Sequence, residues 1–385
     1  MHKFQSHTAI YFGDDPLARL SQLKFKRYFI VTDPFMVKSG AADTLIRRLP
    51  AGCEHAVFSH VTPDPPTDLV AEGAVQLCRF GADCLIALGG GSAIDAAKAI
   101  GYVEKHVSKR ERMIYFISVP TTSGTGSEVT SFAVITDHEQ DVKHTIISEE
   151  ILPREAILDV DFVKTVPPQT TADTGMDVLT HAVESYVSPM SGTYAEALAE
   201  KAVRLVFSDL LTAYHSPDDT RARAHMHAAS NLAGFAFDYT SLGINHGIAH
   251  AVGGVFHIPH GRCNAVLLPH VIAYNAKNSQ FAFDRYTALS RMLELGAASD
   301  YQTLKNFCNA IHALMLKMNM PTTLRACGVS EAEFLRRFGE SMDSVYGDEI
   351  KELISEELLV KKDGRLSLTD RGVDISNSVF EKFIR

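Results

Sequence analysis

No run of about 18 apolar residues occurs in the 385-residue chain, so no membrane-spanning helix is expected. Its first residues, Met1-His-Lys-Phe-Gln, contain no signal-peptide core, which makes the cytoplasm the expected location. The six cysteines (Cys53, Cys78, Cys84, Cys263, Cys308, Cys327) form no Cys-x-x-Cys pair, a pattern of reduced thiols and not of a disulfide frame. Positive charge is short as well. A net charge of −9 argues against a nucleic-acid partner held by phosphate neutralisation. There is no low-complexity stretch and no internal repeat. What remains, 46% hydrophobic and 22% charged, is a globular chain long enough for two domains.

Up to Val166 short apolar runs alternate with helical patterns: Tyr28–Thr32, Ala56–Phe58, Cys84–Leu88, Phe116–Val119, Ala133–Thr136 and Ala156–Leu158 read as strands. That alternation predicts an α/β dinucleotide-binding domain with a Rossmann-like, mostly parallel sheet. From Gln169 the period becomes helical, as in Ala195–Tyr214 and Arg221–Phe237, and an all-α domain follows. Val166-Pro-Pro168 marks the boundary because two prolines stop a helix and stiffen a short connection. The expected division is 1–166, 167–330 and a tail, 331–385. The active site is expected in the cleft between the first two domains.

Two features of the first half suit a phosphate-bearing ligand. Cys84–Leu88 runs into Gly89-Gly90-Gly91-Ser92 and then into Ala93-Ile-Asp-Ala-Ala-Lys-Ala-Ile100, with Ser92 expected as helix cap and Asp95 completing a capping box. Glycines let a phosphate approach the backbone, and the helix N-terminus supplies N–H donors. The turn departs from the usual dinucleotide fingerprint, because Ile94 stands where the third glycine belongs. Phe116–Val119 opens into Pro120-Thr-Thr-Ser-Gly-Thr-Gly-Ser-Glu128, a hydroxyl-rich loop suited to phosphate and sugar oxygens. Asp33, at the end of Tyr28–Thr32, accepts from a ribose 2′-hydroxyl or simply caps a helix starting at Pro34.

In the second half, Asp177-Val-Leu-Thr-His181 and His246-Gly-Ile-Ala-His250 each place two side chains on one helix face. His260 follows Pro259. One carboxylate with imidazoles suits Fe²⁺ or Zn²⁺ better than Ca²⁺ or Mg²⁺. The competing reading is that these histidines cap or pack helices.

The segments GGGSAIDAAKAI, PTTSGTGSEVT, TGMDVLTHAVESYVSP and GINHGIAHAVGGVFHIPHGRCNAVLLPHVIAYNA resemble the iron-containing (group III) alcohol dehydrogenases. Within that family the likeness is strongest to the branch serving propanediol and ethanolamine utilisation in bacterial microcompartments. It runs from near the N-terminus to about Val329. The resemblance implies Fe²⁺, with Zn²⁺ as the alternative, held by Asp177, His181, His246 and His260, and leaves His250 off the metal to pass a proton. It implies NAD(H) held by Gly90, Gly91, Ser92, Thr121, Thr122, Thr125, Val134 and Lys143, with Asp33 selecting NAD over NADP. Phe132 and Phe237 would wall the substrate, a short-chain aldehyde or alcohol such as propionaldehyde or acetaldehyde. His257 has no counterpart and reads as structural. A homo-oligomer and microcompartment proteins are the implied partners. Rival readings on the same fold are a glycerol dehydrogenase, a dehydroquinate synthase or a non-catalytic docking protein. The second would need a basic pocket, and the cleft segments show little basic clustering.

The tail departs from that pattern and lacks the Asn-Pro-Arg element of the relatives. Ala332–Gly339, Asp348–Leu359 and Val373–Ile384 read as helices and Val360–Leu368 as a hairpin through Asp363-Gly364, a small winged-helix layout. RRFGES, ELISEELL and DGRLSLTDRGVDISNSVFEKFI resemble the C-terminal segment of coproporphyrinogen-oxidase-like radical-SAM proteins, without that enzyme's cysteine cluster. With 9 basic and 13 acidic side chains the tail is poorly suited to DNA. Phe334, Phe338, Leu353, Leu359, Val379 and Phe383 have the spacing of a small core, expected to dock on something larger.

Overall fold

The computed structural model describes residues 4–111, 113–137, 142–329, 347–362 and 365–369. Strands β1 (Ala9–Phe12), β2 (Arg27–Thr32), β3 (Glu54–Phe58), β4 (Cys84–Gly89) and β5 (Tyr115–Pro120) are joined by a later one to form a six-stranded sheet. The strands β6 (Phe132–Asp137) and β7 (Val142–Ile147) intervene, and β8 (Glu155–Leu158) completes the order β1-β8-β5-β4-β2-β3, parallel throughout. The side chains of β4 show why it is central. Cys84, Ile86 and Leu88 pack on one face with Leu20, Leu45 and Ile117, while Leu85 and Ala87 pack on the other with Val70, Leu77 and Ile94. Apolar on both faces, the strand has to be covered twice, which is the condition of a parallel sheet layered with helices.

One face is covered by the short helices α1 (Pro34–Lys38) and α2 (Ala41–Ile46), the other by α3 (Thr67–Phe80) and α4 (Gly91–Val107). The chain leaves β2 toward the first face and β4 toward the second, so the connections diverge at the carboxyl ends of these neighbouring strands. Ligands of open α/β sheets bind at such a point. Asp33 and Gly89 stand on either side of it.

Ala133–Thr136 is a strand, but not of this sheet. It lies in β6, which forms an antiparallel hairpin with β7. Thr136 donates its N–H to the Pro65 carbonyl (2.9 Å), outside this ladder.

By compactness the chain divides into two units, 1–243 and 244–385. The first holds the sheet, the hairpin and three long helices, α5 (Pro168–Val187), α6 (Thr193–His215) and α7 (Thr220–Thr240). The expected boundary at 166–168 therefore falls inside this unit. The reason is that α7 is tied to two segments of the sheet side: in the loop after β5, Glu128 accepts from Asn231 and Ser131 donates to Asp238, and ahead of α5 the Val166 carbonyl accepts from Arg223.

The second unit contains α8 (Ile244–Phe256), α9 (His260–Asn278), α10 (Gln280–Met292) and α11 (Asp300–Lys317), with Ala249, Ile258, Cys263 and Leu267 forming an apolar cluster between α8 and α9. Further on, α12 (Gly347–Ser355) precedes the antiparallel pair β9 (Leu359–Lys362) and β10 (Arg365–Leu368), the expected helix and hairpin of the tail. Leu353 and Leu359 are buried. Phe334, Phe338, Val379 and Phe383, and the other two tail helices, lie outside the described residues. No described helix is long and apolar enough to cross a membrane, and all six cysteines are free thiols.

Candidate functional site

The glycine turn differs from its expected form at the cap. Gly90 is the N-cap of α4, its carbonyl accepting from Ala93 and Ile94, and no side chain caps the helix. Ser92 lies inside the first turn. Asp95 is drawn elsewhere: its carboxylate accepts from Ser127 Oγ (2.6 Å) and from the Val134 N–H (3.0 Å). Gly89 adopts φ +153°, a conformation open to glycine, and a Cβ there would lie 2.6 Å from Ala93 Cβ. A Cβ on Gly91 would lie 2.6 Å from Thr125 Cγ2, and one on Gly90 3.1 Å from Thr122 Oγ1. The glycines thus do more than clear space for phosphate. They let the turn and the threonine loop touch, and bring Thr122 and Thr125 beside the helix N-terminus. Thr121 is buried, its N–H bonded to the Gly89 carbonyl (3.0 Å).

Asp33 caps α1 through Met36 N (3.0 Å). Its other oxygen would stand 3.4 Å from a Cβ on Gly89. Both readings of Asp33 are therefore compatible: one oxygen caps, the second faces the glycine turn. Alongside lies an open pocket of about 590 Å³ whose lining includes Phe35, Met36, Thr44, Asp159, Val160 and Phe162. Lys143 sits on β7 opposite Thr136.

The threonine loop also abuts α5, where a Cβ on Gly124 would meet Thr174 at 2.7 Å. One turn beyond Thr174, Asp177 Oδ2 and His181 Nε2 are 4.0 Å apart, and both side chains are buried. His181 stacks on Phe237 (ring centroids 4.6 Å), which in turn lies 6.4 Å from Phe132. The unit thus brings together the glycine turn, the hydroxyl loop, a carboxylate–imidazole pair and two phenyl rings.

In the second unit three imidazoles gather. His246 is buried on α8, with His250 one turn on, and His260 is the first residue of α9. His260 lies 5.3 Å from His246 and stacks on His250 at 4.9 Å between centroids. The fully buried Asn264 amide donates to Nε2 of both His246 (3.0 Å) and His260 (3.1 Å), while its oxygen accepts from Asn245. Two imidazole lone pairs thus converge on one positively polarised NH₂ group, an arrangement that equally suits a cation. His257 closes α8 with φ +52° and is exposed, in keeping with a structural role. With one carboxylate and imidazole nitrogens as donors, the residues present fit Fe²⁺ or Zn²⁺.

Several buried groups were not anticipated. Lys98 is fully buried and donates to Ser127 Oγ and to the carbonyls of Thr130 and Phe132. Burial pushes its ammonium down to about 8, against the opposing pull of Asp95, Asp238 and Glu128. Burial also raises the Glu128 carboxyl, opposed by its bond from Asn231. His227, bonded through Nδ1 to Ser123 Oγ (3.0 Å), is pushed down to about 4 by burial. One signal was available: Asp95 and Lys98 are charged residues on an otherwise alanine- and isoleucine-rich helix, where an unsatisfied charge would be costly.

Comparison with known proteins gives the same picture. Residues 7–160 match the family model described as iron-containing alcohol dehydrogenase, and residues 171–351 match the Fe-containing alcohol dehydrogenase family, C-terminal. The second match extends beyond Val329. The 1-propanol dehydrogenase PduQ of Salmonella typhimurium is 40% identical over 350 residues, covering 90% of this chain and 94% of that protein. Among solved structures, a 1,3-propanediol oxidoreductase is similar with TM-score 0.82 and 30% identity, covering 100% of both chains. A sulfoacetaldehyde reductase from Bifidobacterium kashiwanohense in complex with NAD⁺ is similar with TM-score 0.79 and 26% identity over 98% of each chain.

Proposed function

The chain belongs to the iron-containing alcohol dehydrogenase family, and we propose that it interconverts short unbranched aldehydes and primary alcohols, propionaldehyde and acetaldehyde foremost. It is a metal-dependent, NAD-linked alcohol dehydrogenase acting on short-chain alcohols. The single observation that carries the substrate reading is the aromatic wall: Phe237 stacks directly on His181, and Phe132 extends the same apolar surface. Two phenyl rings offer an alkyl chain contact and a polyol no hydrogen bonds.

In this reading Asp177 and His181 from the first unit, with His246 and His260 from the second, hold the metal. The bound ion supplies Lewis acidity toward the alcohol or aldehyde oxygen, and NAD(H) supplies or accepts the hydride. Gly90, Gly91 and Ser92 bind the pyrophosphate at the positive end of α4, assisted by Thr121, Thr122 and Thr125. Asp33 would accept from the ribose 2′-hydroxyl, and Phe35 and Met36 line the open pocket beside it. By the family resemblance Val134 of β6 and Lys143 of β7 would complete the cofactor site. His250, exposed and stacked on His260, takes the alcohol proton and passes it to solvent. Phe132 and Phe237 orient the alkyl group and exclude water from it.

With NADH supplied by metabolism, aldehyde reduction is the direction in the cell. The likeness to 1-propanol dehydrogenase PduQ supports a place in propanediol utilisation, with microcompartment proteins and further copies of this chain as partners. Steady-state kinetics of the metal-loaded protein with 1-propanol and with glycerol tests the reading. 1-Propanol should show the higher kcat/KM, and better turnover of glycerol would overturn it.

A further inference from the structure

We propose that Lys98 is a positioning residue for hydride transfer: it fixes the strand carrying Phe132 and Val134 relative to the helix that binds the cofactor's phosphates. This rests on the reading above that NAD(H) occupies the glycine turn.

Lys98 lies two turns into α4, and its Nζ donates to Ser127 Oγ (2.9 Å), the Thr130 carbonyl (2.7 Å) and the Phe132 carbonyl (2.6 Å), with Thr130 Oγ1 at 3.2 Å. One turn earlier, Asp95 accepts from the Val134 N–H and from Ser127 Oγ. In a strand the N–H and C=O of residues two apart point to the same side. The Phe132 carbonyl and the Val134 N–H therefore belong to one edge of β6, the edge turned away from β7. Two charged side chains of α4 pair that edge in place of a neighbouring strand.

The side chains of Phe132 and Val134 share one face of β6, with fully buried Ala133 on the other. Phe132 stands by Phe237, which touches His181. A single ammonium therefore couples the phosphate helix to the surface on which substrate and nicotinamide must meet. A buried charge pair is not needed for packing alone, since apolar side chains of similar volume replacing the whole pair often hold a core equally well. What an apolar side chain cannot supply is the hold on the 130 and 132 carbonyls. Small errors of alignment are expensive in rate, about a hundredfold for a displacement of ~1 Å.

The test compares the metal-loaded parent protein with Lys98→Met. NADH Kd is followed by cofactor fluorescence, kcat and KM by NADH oxidation, and the primary isotope effect with deuterated NADH. Lys98→Met should bind NADH with nearly the parent Kd, because the glycine turn is intact. Its kcat should fall by about tenfold or more, and the isotope effect should rise as hydride transfer becomes slower than the other steps. A folded Lys98→Met protein with the parent's kcat and isotope effect, whatever its Tm, would overturn the proposal. Should Lys98→Met fail to fold, Ser127→Ala removes one acceptor of Lys98 and one donor to Asp95. It should move kcat and the isotope effect the same way by less, and parent values there would overturn the proposal equally. Absence of NADH binding by the parent protein would instead overturn the cofactor reading beneath it.

Discussion

The His181 imidazole is stacked on the Phe237 ring, with centroids 4.6 Å apart and planes inclined by 30°. If His181 holds the metal, an alkyl group bound beside it must lie against Phe237. Phe237→Leu keeps the site apolar while withdrawing the far edge of the ring. One methylene in an apolar pocket is worth about 1–3 kcal/mol, so the ratio of kcat/KM for butyraldehyde over propionaldehyde should rise several-fold. The metal content should be unchanged. An unaltered ratio would remove Phe237 from the substrate wall.

Asp33 is the cofactor-selecting residue in this account, yet it is also the cap of α1. Asp33→Gly would confuse the two roles. Asp33→Asn keeps a capping oxygen and removes the charge that repels a 2′-phosphate. Activity with NADPH relative to NADH should rise, with little change in Tm. A constant ratio would leave Asp33 with its structural role alone.

His227 gives the fold an acid sensitivity of definite sign. Burial holds it neutral, with its pKa lowered from 6.5 to about 4. Between these values the unfolded chain binds a proton that the folded chain refuses, so its contribution is full above pH 6.5 and is lost as pH falls toward 4. The difference corresponds to roughly 3 kcal/mol. His227→Asn should flatten the fall of stability between pH 6.5 and 4 in denaturant titrations. Parallel curves for parent and variant would show that His227 does not set the slope.

Much of the scaffold was legible because strong local patterns and tertiary needs agree. Cys84–Gly89 is apolar on both faces and became a central strand; Asp177 and His181, four apart on a helix, stand 4.0 Å apart. Other features depended on partners distant in sequence. Ser92 looked like a cap, but the helix begins one residue before it and Asp95 is claimed by Ser127 and Val134, more than thirty positions away. Ala133–Thr136 has the composition of a sheet strand, and only its antiparallel pairing with β7 shows that it lies apart from the main sheet. Conformational freedom and phosphate access account for the glycines of the turn only in part, because contact with Thr122 and Thr125 is an equal reason for them. Asn264 carried no signal at all, since a buried asparagine is recognised only by the two imidazoles it touches.

The central claim is one divalent metal, held by Asp177, His181, His246 and His260, that is required for turnover. It is tested most directly by elemental analysis paired with NADH oxidation by propionaldehyde, on chelator-stripped protein before and after Fe²⁺ is added back. Parent protein should take up one ion per chain and regain activity. His260→Ala should lose both, while His250→Ala should keep the metal and lose mainly rate. Full metal occupancy in His260→Ala, or undiminished turnover in the stripped parent, would contradict the account.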